Sequence, residues 1–325
     1  MRILAQAVKW ALFLSVLVFV GFKARQLWMQ NAEAIGSCDW LWLFYSGVCY
    51  LTGWLPAAWL WWKLLGRGAA AAGWKDVTRA YYCGHPGKYV PGKALALGIR
   101  AALLHPYGVR PGTAIVTGIL ETLLVMGIGL AMGVGLAPVL VDAQVTEQIP
   151  AAWRWLSDLS RFGPLAGLLM LAVGTGLSPV VLRWLAARRN RGAADSARMQ
   201  EVVTPARWLP LAGLSVLPGW ALHGLSLLCV LKALDVQDIT VENWLRATGA
   251  VSAATSVSFF VLFAPGGLGV REGILFAILQ PVTGGPAAVA GAGLLRLVWL
   301  VSEVLLAGIL WAVPSRRTFG ESSLS

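Results

Sequence analysis

The sequence predicts an all-α polytopic membrane protein with six full spans and two re-entrant broken-helix hairpins in an inverted repeat, nominally eight membrane segments. Three observations carry that prediction. Of the 325 residues, 58% are hydrophobic and only 13% charged, about half the charged share of an ordinary soluble domain. Apolar runs near 8–25, 40–63, 113–136, 163–183, 208–231 and 287–312 reach the roughly 20 residues that cross the hydrocarbon core as a helix. Two further apolar stretches, 77–104 and 246–280, are interrupted by Pro-Gly, which stops a helix and favours two half-helices over one span.

Arg2 and Lys9 lie ahead of, or at the edge of, the first apolar run, from Trp10 to Phe22. Phe22-Lys23-Ala24-Arg25 is a poor small-residue cleavage site, so the run reads as an uncleaved span rather than a signal peptide. The second run carries Trp40, Trp42, Trp54, Trp59, Trp61 and Trp62. Those near its two ends, Trp40 and Trp42 against Trp59, Trp61 and Trp62, read as interface anchors, each ring having a wet edge and an apolar body.

The loops set the sidedness. Segment 63–80 holds Lys63, Arg67, Lys75 and Arg79 against Asp76 alone, and 184–207 holds five arginines against Asp195 and Glu201; the tail adds Arg316 and Arg317. Segments 137–162 and 232–246 are richer in acid, with Asp142, Glu147, Asp158, Asp235, Asp238 and Glu242. If each Pro-Gly stretch enters and leaves on one side, every arginine-rich loop and both termini fall in the cytoplasm of a cell inner membrane. Treating just one stretch as a full crossing destroys that agreement. The formal net charge of +11 is thereby accounted for without nucleic acid, and contact with anionic headgroups is a further use of it.

Residues 1–325 form one integral membrane domain containing two copies of the order span, broken hairpin, span: repeat 1 at 40–136 and repeat 2 at 208–312. Pro265 follows Pro91 by 174 residues, and the single span at 163–183 turns the second copy over, as in transporters with alternating access. Backbone freed at Pro91-Gly92 and Pro265-Gly266-Gly267 must line protein or a watery cavity rather than lipid. Half-helices beginning near Lys93 and Gly267 offer unpaired N–H groups and a positive dipole end, features that suit a phosphate. Gly92, Gly266, Gly267 and Gly269 either let backbone approach a ligand or simply turn the chain and pack helices closely.

Glu121, Arg296 and Glu303 fall within spans, and Arg100, Arg271 and Glu272 within the re-entrant halves. An ionised group at mid-membrane depth costs about 3 kcal/mol on insertion scales, so pairing is expected: Arg100 with Glu121 and Glu272 with Arg296, one pair per repeat. Arg296 and Glu303, seven apart, share a helix face without touching. Such pairs either pin each hairpin to its neighbouring span or grip a lipid phosphate while the carboxylates position the arginines or exchange protons.

Other signals point nowhere. Gly87-Lys-Tyr-Val-Pro-Gly92-Lys93-Ala94 nearly spells a P-loop but lacks the magnesium-binding hydroxyl, follows no strand and is interrupted by Pro91. Gly267 to Gly273 is one residue too long for a dinucleotide fingerprint. Cys38, Cys49, Cys83 and Cys229 show no C-x-x-C spacing, and His85, His105 and His223 have no metal-ligand neighbour at helical spacing. No metal and no cofactor is expected.

Through Gly87-Lys-Tyr-Val-Pro-Gly-Lys93, Gly98-Ile-Arg100, Glu121 and Pro265-Gly-Gly-Leu-Gly-Val-Arg-Glu-Gly273, the chain resembles the flippase-like membrane domain of the lysylphosphatidylglycerol synthases over roughly residues 40–312. The resemblance implies translocation of anionic or aminoacylated phospholipids, or of lipid-linked sugar intermediates. It carries Arg100, Glu121, Arg271, Glu272 and Arg296 over as path or gating residues. The sequence ends at Ser325 without the synthases' soluble aminoacyl-transferase domain, so aminoacylation is not expected. Membrane lipids are the expected partners, and a homo-oligomer stays open. Two rivals to a flippase remain: a membrane-embedded enzyme acting on a lipid-linked sugar or phosphate, with Asp76 and His85 as its best but unpartnered candidates, and an accessory subunit of an envelope pathway.

Overall fold

Long apolar runs give long helices even where glycines fall inside them, and the shorter helices are parted at turns. In the computed structural model the described residues are 38–66, 72–89, 94–141, 147, 155–189, 209–260 and 269–312. The expected first span at 8–25 and the corners at Pro91, Gly92 and Lys93 and at Pro265, Gly266 and Gly267 lie outside them. The helices are α1 (Trp40–Gly53), α2 (Leu55–Leu65), α3 (Trp74–Gly84), a 3-10 turn (His85–Tyr89), α4 (Ala94–Leu104), α5 (Pro111–Gly135) and α6 (Ala137–Leu140). There follow α7 (Trp155–Ser160), α8 (Gly163–Arg189), α9 (Leu209–Leu214), α10 (Leu217–Ala233), α11 (Val241–Phe260), α12 (Val270–Thr283) and α13 (Gly285–Ala312).

The expected runs at 113–136 and 287–312 are α5 and α13, of 25 and 28 residues with mean hydropathies of 2.0 and 1.9, long and apolar enough to cross a membrane. The run at 163–183 lies in α8. The runs at 40–63 and 208–231 are each divided once, into α1 and α2 and into α9 and α10. Pro56 and Pro218 stand in the first turn of the following helix, where a missing N–H costs nothing because that donor has no intrahelical partner anyway. Asp39 caps α1 by accepting from Leu41 N at 2.9 Å. Phe44, Leu123, Leu168, Leu169, Leu305 and Ile309 point outward, the surface a bilayer would cover.

Three antiparallel contacts organise the bundle. Helix α1 lies on α10: Asp39 N donates to Ala233 O at 3.1 Å, Ser46 and Ser226 hydroxyls meet at 2.8 Å, and Gly53 meets Gly219. The backbones approach so closely that a Cβ on Gly53 would stand 2.9 Å from the Gly219 carbonyl oxygen. Helix α5 lies on α11, with Gly133 against Ala253 and Gly249 against Leu136 just beyond the end of α5. Helix α13 lies on α3, where Arg79 Nε donates to Leu310 O at 2.8 Å. Consequently α3 starts at the end of the bundle where α2 and α13 finish. Helix α11 starts at the other end, where α1 begins and α5 and α10 finish.

The two broken stretches differ in length. Helices α3 and α4 have 11 residues each, about 16 Å at 1.5 Å per residue, half the hydrocarbon thickness. They pack side by side because Gly84 and Gly87 have no side chains: a Cβ on Gly87 would meet Ala96 N at 2.7 Å. Helix α11 has 20 residues and α12 has 14, about 30 and 21 Å. The longer limb departs from the expected pair of half-helices. Its run of small residues, Ala250, Ser252, Ala254 and Ser256, is buried among neighbouring helices and contains no breaker.

Trp61 corrects another expectation. It is fully buried and donates from Nε1 to Thr117 Oγ1 at 3.1 Å, so it is a core residue rather than an interface anchor. Trp40 is exposed, and Lys63 lies 5.5 and 4.6 Å from the rings of Trp59 and Trp62, as anchors would be placed.

Candidate functional site

Charged side chains inside the bundle come from the broken stretches and from the long helices packed on them. Arg100, on α4, bonds Glu121, on α5, at 3.2 Å. Tyr81 OH donates to the other Glu121 oxygen at 2.9 Å and Thr122 Oγ1 lies 3.2 Å from the carboxylate. The Arg100 guanidinium carbon sits 3.9 Å from the Tyr81 ring centroid and 5.3 Å from that of Trp61. Both charges are buried.

The second cluster reverses the signs. Here the carboxylate, Glu272, is on α12 and the guanidinium, Arg296, is on the long helix α13; the two are bonded. Arg271 approaches the same Glu272 oxygen at 3.4 Å. The other oxygen, Oε2, accepts from Gly269 N at 2.8 Å, so Glu272 also caps α12. Gly269 makes this turn with φ +80°, a left-handed value that glycine adopts without steric cost. Arg271 lies 4.7 Å from the Trp299 ring centroid and Arg296 lies 5.7 Å from that of Tyr89.

Those two aromatic rings lead to a third carboxylate. Glu303, two turns beyond Arg296 on α13, accepts from both the Lys88 ammonium and the Tyr50 hydroxyl. Lys88 also donates to Tyr50 OH at 3.0 Å, and its nitrogen lies 5.8, 5.9 and 5.2 Å from the rings of Tyr50, Trp54 and Tyr89. Trp299 stacks on Tyr50 at 4.2 Å, and His223 packs against Trp54 at 4.8 Å. The Lys88 and Glu272 side chains are 29% and 21% exposed, against 1% for Glu303 and 2% for Arg296. Lys88 and Glu272 are therefore the partly exposed members of the cluster.

Lys88, Arg271 and Arg296 face Glu272 and Glu303, three cations against two carboxylates. Arg271 Nε is buried with no hydrogen-bond acceptor among the described residues. A site with surplus positive charge and an unfilled guanidinium donor suits an oxyanion, which arginine can bind through paired N–H groups.

The two ion pairs expected from sequence are present, and Arg296 and Glu303 each take a different partner, as their spacing requires. Lys93, Pro91, Gly92, Pro265, Gly266 and Gly267 fall outside the described residues. The amide end of α12, expected to await a ligand anion, is occupied by the chain's own Glu272. Sequence reasoning did not single out Lys88, Tyr50, Tyr89 or Trp299. Lys88 carried the same signal as Arg100, a cation within an apolar stretch, but stood inside the failed P-loop motif and beside the more conspicuous Pro-Gly-Lys93.

Residues 6–307 match the family model described as Lysylphosphatidylglycerol synthase TM region. No curated protein and no solved structure shows significant similarity to the chain.

Proposed function

We propose a function from one premise: the chain belongs to the lysylphosphatidylglycerol synthase transmembrane-region family, multi-pass membrane domains associated with phospholipid modification and translocation. The protein acts as a flippase or transporter that carries an anionic phospholipid, or a lipid-linked intermediate, across the cytoplasmic membrane without chemical turnover. The observation that carries this reading is the largely buried, cation-rich cluster of Lys88, Arg271 and Arg296 around Glu272 and Glu303. Retaining five charges there is costly, and an anionic cargo would balance the cation in excess.

In this reading the path runs through Lys88, Lys93, Arg100, Glu121, Arg271, Glu272, Arg296 and Glu303. Repeats 40–136 and 208–312 are related by inversion. Their support is the antiparallel contact of α1 with α10, together with the reciprocal packing of each copy's long last helix on the first broken-stretch helix of the other. Six spans cross the membrane, with both termini in the cytoplasm. The α3–α4 pair, too short to cross, dips in from the cytoplasmic side, and the deeper α11–α12 pair enters from the opposite one. Movement of each pair against its long helix would expose the charges to one leaflet and then the other.

Reconstitution tests this. Proteoliposomes carrying a headgroup-labelled fluorescent phosphatidylglycerol in both leaflets are treated with an impermeant reductant. Bleaching beyond the outer-leaflet fraction is expected, and should be lost in Arg271→Gln and Arg296→Gln proteins that still fold. Bleaching that stops at the outer-leaflet fraction for phosphatidylglycerol and for labelled polyprenyl phosphate alike would remove the flippase reading.

A further inference from the structure

Lys88 stands apart from the other cations of the cluster because, among the described residues, Glu303 and Tyr50 are its only hydrogen-bond acceptors. Arg296 is 2% exposed and shares Glu272 with Arg271, whereas the Lys88 side chain is partly exposed and ends on a carboxylate that is 1% exposed. It comes from the 3-10 turn of repeat 1, and Glu303 comes from the last helix of repeat 2. A lysine is a flexible point charge on a four-carbon stem with three freely rotating donors. Of the three cations it is the one whose carboxylate neither caps a helix nor is shared with a second cation among the described residues.

We propose that the Lys88–Glu303 pair is an exchangeable lock that couples binding of an anionic headgroup to uptake of one proton. The inference rests on the headgroup reading above and goes beyond it by naming an ion that moves with the lipid. A phosphodiester reaching the partly exposed Lys88 competes with Glu303 for its ammonium. Once Lys88 turns to the phosphate, Glu303 is left a buried charge without a counter-ion, an arrangement that is strongly unfavourable until it is neutralised. A proton from water neutralises it, and the Tyr50 hydroxyl remains beside it as a hydrogen-bond partner. Charge balances: the lipid brings one negative charge and the proton one positive.

The groups around Glu303 leave it as the acceptor. From α1 it is faced by Tyr50, from the 3-10 turn by Lys88 and Tyr89, and along α13 by Arg296; Arg271 of α12 stands behind Trp299. His223 of α10 packs against Tyr50 at 5.5 Å, and His85 lies beyond Trp54. Glu272 keeps Arg271, Arg296 and the Gly269 amide throughout. The histidines are the rival proton acceptors and are controls in the test.

The experiment titrates dihexanoylphosphatidylglycerol into the full-length protein in detergent near neutral pH, by calorimetry in buffers of different ionisation enthalpy. The dependence of the heat on buffer counts protons. The wild-type protein is expected to take up about one proton per lipid bound, with affinity falling by up to about tenfold per pH unit as pH rises. Glu303→Gln and Lys88→Met should each bind lipid, through Arg271 and Arg296 in the second, with almost no proton uptake, the first because no carboxylate remains and the second because lipid then takes no counter-ion from Glu303. Size exclusion and circular dichroism identify which variant is folded, and either one suffices. His223→Gln and His85→Gln should retain the uptake. Binding by the wild type without uptake, or uptake that survives Glu303→Gln, overturns the coupling while leaving headgroup binding intact. An absence of binding heat from this lipid and from a short-chain polyprenyl phosphate would instead overturn the headgroup reading, and the lock with it.

Discussion

Replacing Arg100 by Met should unfold the protein more readily than its single lost ion pair suggests. Glu121 is 1% exposed, and removing the guanidinium 3.2 Å away leaves it with Tyr81 and Thr122 alone. An uncompensated buried charge of this kind costs about 3–5 kcal/mol. Glu121→Gln strands Arg100 in the same way and belongs in the same range, softened by the Tyr81 and Trp61 rings, whose cation–π attraction is worth about 1–2 kcal/mol. The double replacement removes both charges and gives up that attraction, so its cost should be well below the sum of the singles. The coupling energy of the cycle should be at least about 2 kcal/mol. Denaturant unfolding of the four proteins in mixed micelles, followed by tryptophan fluorescence, measures it. Additive single effects would refute a close, buried pair and would return Arg100 and Glu121 to separate, solvated positions.

Gly53→Ala should cost about 1–3 kcal/mol, because its methyl would press on the Gly219 carbonyl at 2.9 Å and the His223 ring at 2.6 Å; Gly98→Ala, with nothing within 4 Å, should be neutral or slightly stabilising, and thermal unfolding in detergent compares the two. Arg79→Gln removes the donor to the Leu310 carbonyl near the end of α13 and should cost about 1 kcal/mol, seen as faster amide exchange in the last turn of that helix. Trp61→Phe deletes the hydrogen bond to Thr117 and part of the floor beneath Arg100; a loss of about 1–3 kcal/mol is expected, whereas an interface anchor would tolerate the change.

Much of this molecule is legible in one sequence because lipid enforces simple rules. A run such as Pro111–Gly135 has no alternative to a helix, and a charge such as Glu121 inside it must find an opposite charge nearby. Spacing from the two Pro-Gly corners was enough to match Arg100 with Glu121 and Glu272 with Arg296. Three things were not legible. The length of α11 escaped because its small residues read as neither strongly apolar nor broken, and only burial among its neighbours shows why they suit a long interior helix. The Glu272 cap escaped because an acid three residues after Gly269 signals a helix start only once the turn is known. The Lys88–Tyr50–Glu303 contact joins residues more than 200 positions apart, from different repeats, and no local pattern encodes such a meeting.

The proposed transport path requires the two broken stretches to open toward opposite faces of the membrane. Single cysteines in place of His105, at the mouth of the first stretch, and Thr283, at the mouth of the second, can be introduced in a background lacking Cys38, Cys49, Cys83 and Cys229. An impermeant maleimide applied to sealed right-side-out vesicles should label the position 283 cysteine and spare the one at 105, with the pattern reversed in inverted vesicles. Labelling of both positions from the same side would contradict the inverted arrangement on which the transport path is built.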